Sequence, residues 1–284
     1  MKHSIRVIIA GVIIAIGGVI MVLCAMGMSG WDFGMVDRWE DGVVVFDEQI
    51  AKLKMEVNVG EVIIAHGSTD QAVVSYEYDN RYMPQIDLRD DGTLSITTGK
   101  RPWYEFHFWF ETAPTMRIEI PEDWKIDIDV KMNAGTVKLG DGDWGPLVDV
   151  ELNAGAMSFG NVVMTEFRLE LNAGALQARS IKCVDLTCRI NAGGFEAKEI
   201  VCRKLDCKVS AGGVEVRKLD SQWTVLDVSA GGAELGLVGA KTDYVITVDK
   251  SAGSCNVGTQ SPSAARRTLD IDISAGSVEV SFGK

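Results

Sequence analysis

The chain has 284 residues, 28 Lys plus Arg against 40 Asp plus Glu, and a formal net charge of −12. So acidic a balance lacks the basic footprint that nucleic-acid binding needs. A hydrophobic content of 46% excludes a disordered chain, and three histidines (His3, His66, His107) leave little for metal or triad chemistry.

Lys2, His3 and Arg6 precede an uncharged stretch from Val7 to Met28, and Asp32 is the first acidic residue. As a helix that stretch spans about 33 Å, enough for a bilayer core of about 30 Å. Basic residues before it and none just after predict a single-pass anchor over 1–28, with the N-terminus cytoplasmic and the remainder extracellular. A cleaved signal peptide is the competing reading: Ala25-Met26-Gly27 has the small-x-small form, but the apolar run is long for a signal core.

Residues 29–48 read as a juxtamembrane link. Residues 49–121 read as a β-rich cap, with strands expected at Ile50–Val57, Glu61–Ala65, Gln71–Tyr78, Leu94–Thr97 and Thr115–Ile120. Asn58-Val59-Gly60 has the form of a degenerate first corner. Between Pro102 and Pro114 lie six aromatics: Trp103, Tyr104, Phe106, Phe108, Trp109 and Phe110. They form either a hairpin over the open end of the fold or a hydrophobic tip that touches a membrane or a partner.

From 122 to 284 the sequence is periodic. Asn-Ala-Gly occurs at Asn133, Asn153, Asn172 and Asn191, and Ser-Ala-Gly at Ser210, Ser229, Ser251 and Ser274, at spacings of 20, 19, 19, 19, 19, 22 and 23. Apolar residues fall 5, 3 and 1 positions before each triplet and 4 and 6 after it, as in Phe167/Leu169/Leu171 and Val214/Val216. Period two means half-buried strands. A unit this short cannot bury its own apolar face, but stacked copies can. The expected fold is therefore all-β: a single-stranded parallel solenoid of about eight coils, right-handed by the usual crossover rule, with like positions about 4.8 Å apart. The triplets are its corners. Gly135, Gly155, Gly174, Gly193, Gly212, Gly231, Gly253 and Gly276 supply a backbone conformation that a Cβ forbids. The Asn or Ser satisfies turn amides and stacks on its copy, and the Ala marks a small site where coils meet. Pro146 and Pro262 fall in connections.

Cys183/Cys188 recur as Cys202/Cys207. They and Cys255 read as small buried residues, with inter-coil disulfides and a zinc site as alternatives. Glu196, Glu215 and Glu234 stack beside Arg179, Lys198 and Arg217, a basic row neutralising an acidic one. Gly140-Asp141-Gly142-Asp143 reads as a polar turn, with calcium coordination as the alternative. No histidine lies in the repeats, so no catalytic residues, metal or cofactor are assigned.

Eight [NS]-A-G corners, the V-x-V-G-x-V-x-I element at Val57–Ile64 and the I-x-I-P strand at Ile118–Pro121 resemble a bacterial family called putative adhesins, a β-repeat domain of unknown function. The resemblance covers about 50–284. It implies a non-catalytic, surface-exposed β-helical domain and supplies no functional residues. The expected function is a membrane-anchored module that binds an envelope polymer or a protein. One alternative is a regulator of envelope-stress signalling acting on a membrane partner. The other is a structural homo-oligomer that assembles end to end through the open edge of its last strand.

Overall fold

The structure, a computed structural model, describes residues 39–79, 83–99 and 114–283. They form eleven strands: β1 (Trp39–Phe46), β2 (Lys52–Gly67), β3 (Ala72–Asp79), β4 (Gln85–Leu88), β5 (Thr93–Thr97), β6 (Thr115–Pro121), β7 (Asp127–Leu139), β8 (Gly142–Lys182), β9 (Asp185–Leu237), β10 (Tyr244–Cys255) and β11 (Arg267–Phe282). β2 and β7 to β11 are long because each runs through its corners without a break. A 3-10 turn at Lys241–Asp243 is the one helical element among the described residues. No helix there is long and apolar enough to cross a membrane. The stretch 7–28 and the aromatic segment Trp103–Phe110 lie outside the described residues.

From β2 onward every neighbouring pair along the stack is parallel, and corner meets corner. Gly60 aligns with Gly135, Gly135 with Gly155 and Gly174 with Gly193. Alternation then sends the same offsets inward in every coil. Val130, Val150, Leu169, Cys188 and Cys207 are all buried, and one continuous core runs from Ile50 to Val280. Burying each such side chain contributes about 1.5–3 kcal/mol.

The N-terminal end is antiparallel. β5 and β6 lie on the two limbs of β2 in parallel, then β3 pairs antiparallel with β6, β1 with β3, and β4 with β5. Residues 39–46, expected within the link, are strand β1. Their Gly-Val-Val-Val-Phe run has β character, and Tyr76 packs over Gly42, where a Cβ would overlap its ring. β4 is a further strand without a sequence expectation. Pro146 lies inside β8 rather than in a connection, with the parallel pairing resuming at Val148.

The far end departs from chain order. β11 pairs with β9 on one side and β10 on the other, so the last coil in sequence is the second-last in space. The expected open edge on the last strand is therefore absent. β10 is outermost, and the chain after it folds back along part of its edge. Ile246 and Gln260 exchange both backbone hydrogen bonds at 2.9 Å, and Val248 N–H donates to Thr259 Oγ1 at 3.1 Å.

Candidate binding surface

The corners form two ladders. Every corner glycine has φ between +130° and +151°. A Cβ on any of them after Gly60 would overlap the carbonyl oxygen of the glycine in the adjacent rung, along the order 60, 135, 155, 174, 193, 212, 231, 276, 253, and one on Gly60 would overlap the carbonyl oxygen of Pro114. Beside them runs a chain of carboxamides. Asn133, Asn153, Asn172 and Asn191 each donate from Nδ2 to the Oδ1 of the preceding asparagine, at 2.8, 2.9, 2.7 and 2.6 Å, beginning on Asn58. Asn58 in turn binds Thr98 through its backbone N–H (2.9 Å) and Nδ2 (2.6 Å). No such chain joins Ser210, Ser229, Ser274 and Ser251 among the described residues. Hydroxyls stacked about 4.8 Å apart cannot span an O–H···O bond of about 2.8 Å. The triplet alanines from Ala154 to Ala275 are exposed, so the close approach of coils belongs to the glycines, not to them.

The charged rows sit on the outer faces. Arg217 bridges Glu196 (2.6 Å) and Glu215 (3.2 Å), and Lys218 pairs with Glu199 at 2.7 Å. The basic row stops at Arg217, because the same offset is Gly236 and Ser281 in the next two rungs. The acidic row goes on: the inserted β11 places Glu279 beside Glu234. On the other limb Asp227, Asp272 and Asp249 fall in register. Sequence reading missed this acidic end. The aspartates recur two positions before the last three serines, but their adjacency depends on the exchanged strand order.

In the Gly140–Asp143 stretch, expected as a polar turn, the chain bends at Asp141, and Gly142 and Asp143 already open β8. Asp141 accepts from the backbone N–H (2.7 Å) and Nδ2 (3.2 Å) of Asn161, and the first of these holds its carboxyl below the usual range. Asp143 pairs with Lys125 at 3.1 Å. His66 stacks on Trp144 with centroids 4.0 Å apart and rings 11° from parallel. Its Nδ1 lies 3.3 Å from the Ile120 carbonyl oxygen, which is a packing role. No cluster of three or more metal-ligating side chains occurs among the described residues.

Cys183, Cys188, Cys202, Cys207 and Cys255 are all free thiols, and Cys188, Cys202 and Cys207 are buried. Burial pushes Cys183 and Cys202 from 9.0 up to about 12, and Tyr78 from 10.0 up to about 12. A hydrogen bond to Cys207, then burial, raises Cys188. The folded chain keeps these protons when the unfolded chain has released them, so stability falls as pH rises from about 9 toward 12. Each group contributes up to about 1.4 kcal/mol per pH unit in that window. Urea midpoints at pH 8 and pH 10.5 check this: the second is expected to be lower, and C183S/C202S narrows the gap.

The described residues on either side of the aromatic segment both bond to the first corner. Thr98 N–H donates to Glu56 O at 3.0 Å, and Glu61 N–H to Pro114 O at 2.7 Å. Register places Asp79 opposite Trp39 and Glu77 opposite Thr115. The start of β1, the end of β3 and both stems of the segment thus share one pole. A water-sized cavity of about 20 Å³ lies there, lined by Asn58, Tyr78, Asp79, Thr98 and Pro114 among others.

Parallel coils in register, a glycine at every corner and a single unbroken core define a repeat protein of the stacked-β type, whose surface is a set of repeating rows rather than a cleft. The chain belongs to the Toastrack DUF4097 family, which matches residues 50–284. A "putative adhesin" from Bacteroides fragilis shares the fold, with a TM-score of 0.51 at 11% identity, over 85% of this chain and 97% of that one. Two further structures called "putative adhesin" also match. That from Parabacteroides merdae has a TM-score of 0.48 at 13% identity, covering 86% and 96%. That from Parabacteroides distasonis has 0.46 at 12%, covering 85% and 97%. No curated protein is similar enough to count as a relative.

Proposed function

We propose that this protein is a non-catalytic surface module, anchored by residues 7–28 with its N-terminus in the cytoplasm. Its right-handed solenoid, capped at the N-terminal end, stands outside the cell and binds an envelope polymer or a protein along its outer faces. The observation that supports this best is the repetition of those faces. One side chain per coil recurs at the strand spacing, and the rung-to-rung hydrogen bonds keep the rows straight. Such an array suits a linear, repetitive ligand. The adhesin description of the Bacteroides fragilis fold neighbour agrees with that role. The acidic surface makes nucleic acid an unsuitable ligand.

A second reading, a regulator of envelope-stress signalling that acts on a membrane partner, is favoured by the shared pole. There Thr98 and Pro114, the described residues on either side of the aromatic segment, lie at the same pole as the start of β1. Cross-linking of the tagged full-length protein in intact cells separates the two. Recovery of wall polymer or surface material, unchanged when Trp103–Phe110 becomes a Gly/Ser loop, is the expected result. Capture of one membrane protein, lost in that variant, would establish the regulator instead.

A further inference from the structure

The two ends of the sheet are finished differently. At the far end the chain folds back on β10 and occupies its backbone groups at Ile246 and Val248. At the near end β1 is the last strand, and among the described residues nothing pairs with its outer side. Native edges are blunted by lysine, proline, a bulge or a covering segment. The run Gly42–Phe46 holds no lysine or proline, none of the described residues pairs with its outer side, and its pairing with β3 is unbroken over eight residues. Val43 and Val45 are 66% and 49% exposed on one face, with Val73 opposite Val45 on the neighbouring strand.

The flanks of this edge are acidic. Glu40 and Asp41 precede the apolar run, Asp47 and Glu48 follow it, and all four are exposed. No lysine or arginine occurs between 39 and 51. This charge pattern selects the occupant. A second copy pairing antiparallel about Val44 would set Asp41 against Asp47 and Glu40 against Glu48, and like charges directly opposite are destabilising. A strand with basic flanks meets opposite charges at both ends.

The geometry points to β1 as a docking edge for an extended segment of a partner protein: apolar at alternate positions, flanked by Lys or Arg, and added as one more strand. Main-chain hydrogen bonds to β1 supply affinity, contacts with Val43 and Val45 set the register, and the acidic flanks reject acidic strands. The docking edge is separate from the outer faces assigned to the envelope ligand, so either can fail without the other.

The test uses the full-length protein in detergent micelles and a fluorescein-labelled peptide of alternating Val and Thr with two Lys at each end. Saturable binding is expected, weakening about tenfold between low and physiological salt. A peptide with Glu in place of Lys is expected not to bind. Hydrogen exchange should show new protection within 39–48 and none within 244–260. The exposed pair V43K/V45K, checked for an unchanged circular dichroism spectrum, should weaken binding at least about tenfold. No binding of the Lys-flanked peptide, equal binding of the Glu-flanked one, equal binding by V43K/V45K or protection elsewhere each overturns the proposal. So does concentration-dependent dimerisation that protects 39–48 without peptide, which would make the occupant a second copy.

Discussion

Gly193→Ala is expected to lower the unfolding free energy by about 4 kcal/mol or more, among the largest effects of a single methyl group in this chain. Two penalties combine. At φ +132° a residue with a β-carbon is strained by about 1–3 kcal/mol. In addition the new Cβ, whose position the backbone fixes, would overlap the backbone carbonyl oxygen of Gly174, so no rotamer change relieves the contact. The coils must move apart, which weakens the parallel pairing between β8 and β9 on both limbs. Urea unfolding of the full chain followed by circular dichroism gives the measurement. Ala192→Ser is the control: Ala192 is the neighbouring corner residue and is exposed, so its midpoint should stay within about 0.5 kcal/mol of wild type. Equal midpoints for the two variants would mean that the corners are looser than the ladder requires.

Trp144→Ala should cost about 3–5 kcal/mol. The indole is fully buried, donates from Nε1 to the Gly140 carbonyl at 3.0 Å and covers the His66 ring. The Trp144 backbone carbonyl also accepts from Ile126 N–H at 3.1 Å. Removing the ring leaves a cavity between the end of β2 and the start of β8, and it uncovers His66 Nε2, a buried nitrogen with no hydrogen-bond partner. Trp144→Phe keeps most of the apolar contact and should lose well under half as much. Thermal unfolding of the three proteins should rank them wild type, Phe, Ala.

The repeats were the legible part of this sequence because corner chemistry and inward alternation recur at one spacing. Reading Phe167 or Val214 as core needs only the offset from its triplet, and both are buried. Asn172 could be placed in a ladder because a carboxamide both donates and accepts. What failed to show was non-local. β1 has ordinary strand composition, but its neighbour is β3, across a gap of 25 residues from Phe46 to Ala72 and beyond, and no repeat marks that pairing. The exchange of β10 and β11 was hidden for the opposite reason. Both carry the same Ser-Ala-Gly corner, so the corner sequence does not distinguish which strand takes which rung. The alanines misled because smallness was read as close packing, when their side chains point to solvent.

That exchange has a consequence for how the chain is made. Up to Leu237 each coil can zip onto the one before it as the polypeptide emerges, since every contact is with residues already in place. Tyr244–Cys255 has no such partner: the position beside β9 belongs to a strand some 23 residues later in the sequence. It must wait until Arg267–Phe282 arrives, and the two then close together, the later strand sliding under the earlier one. The last part of the molecule is therefore a clasp that cannot be shut until Arg267–Phe282 is in place. Its exposed strand edges in the interval are the stage at which a half-finished molecule is most open to aggregation.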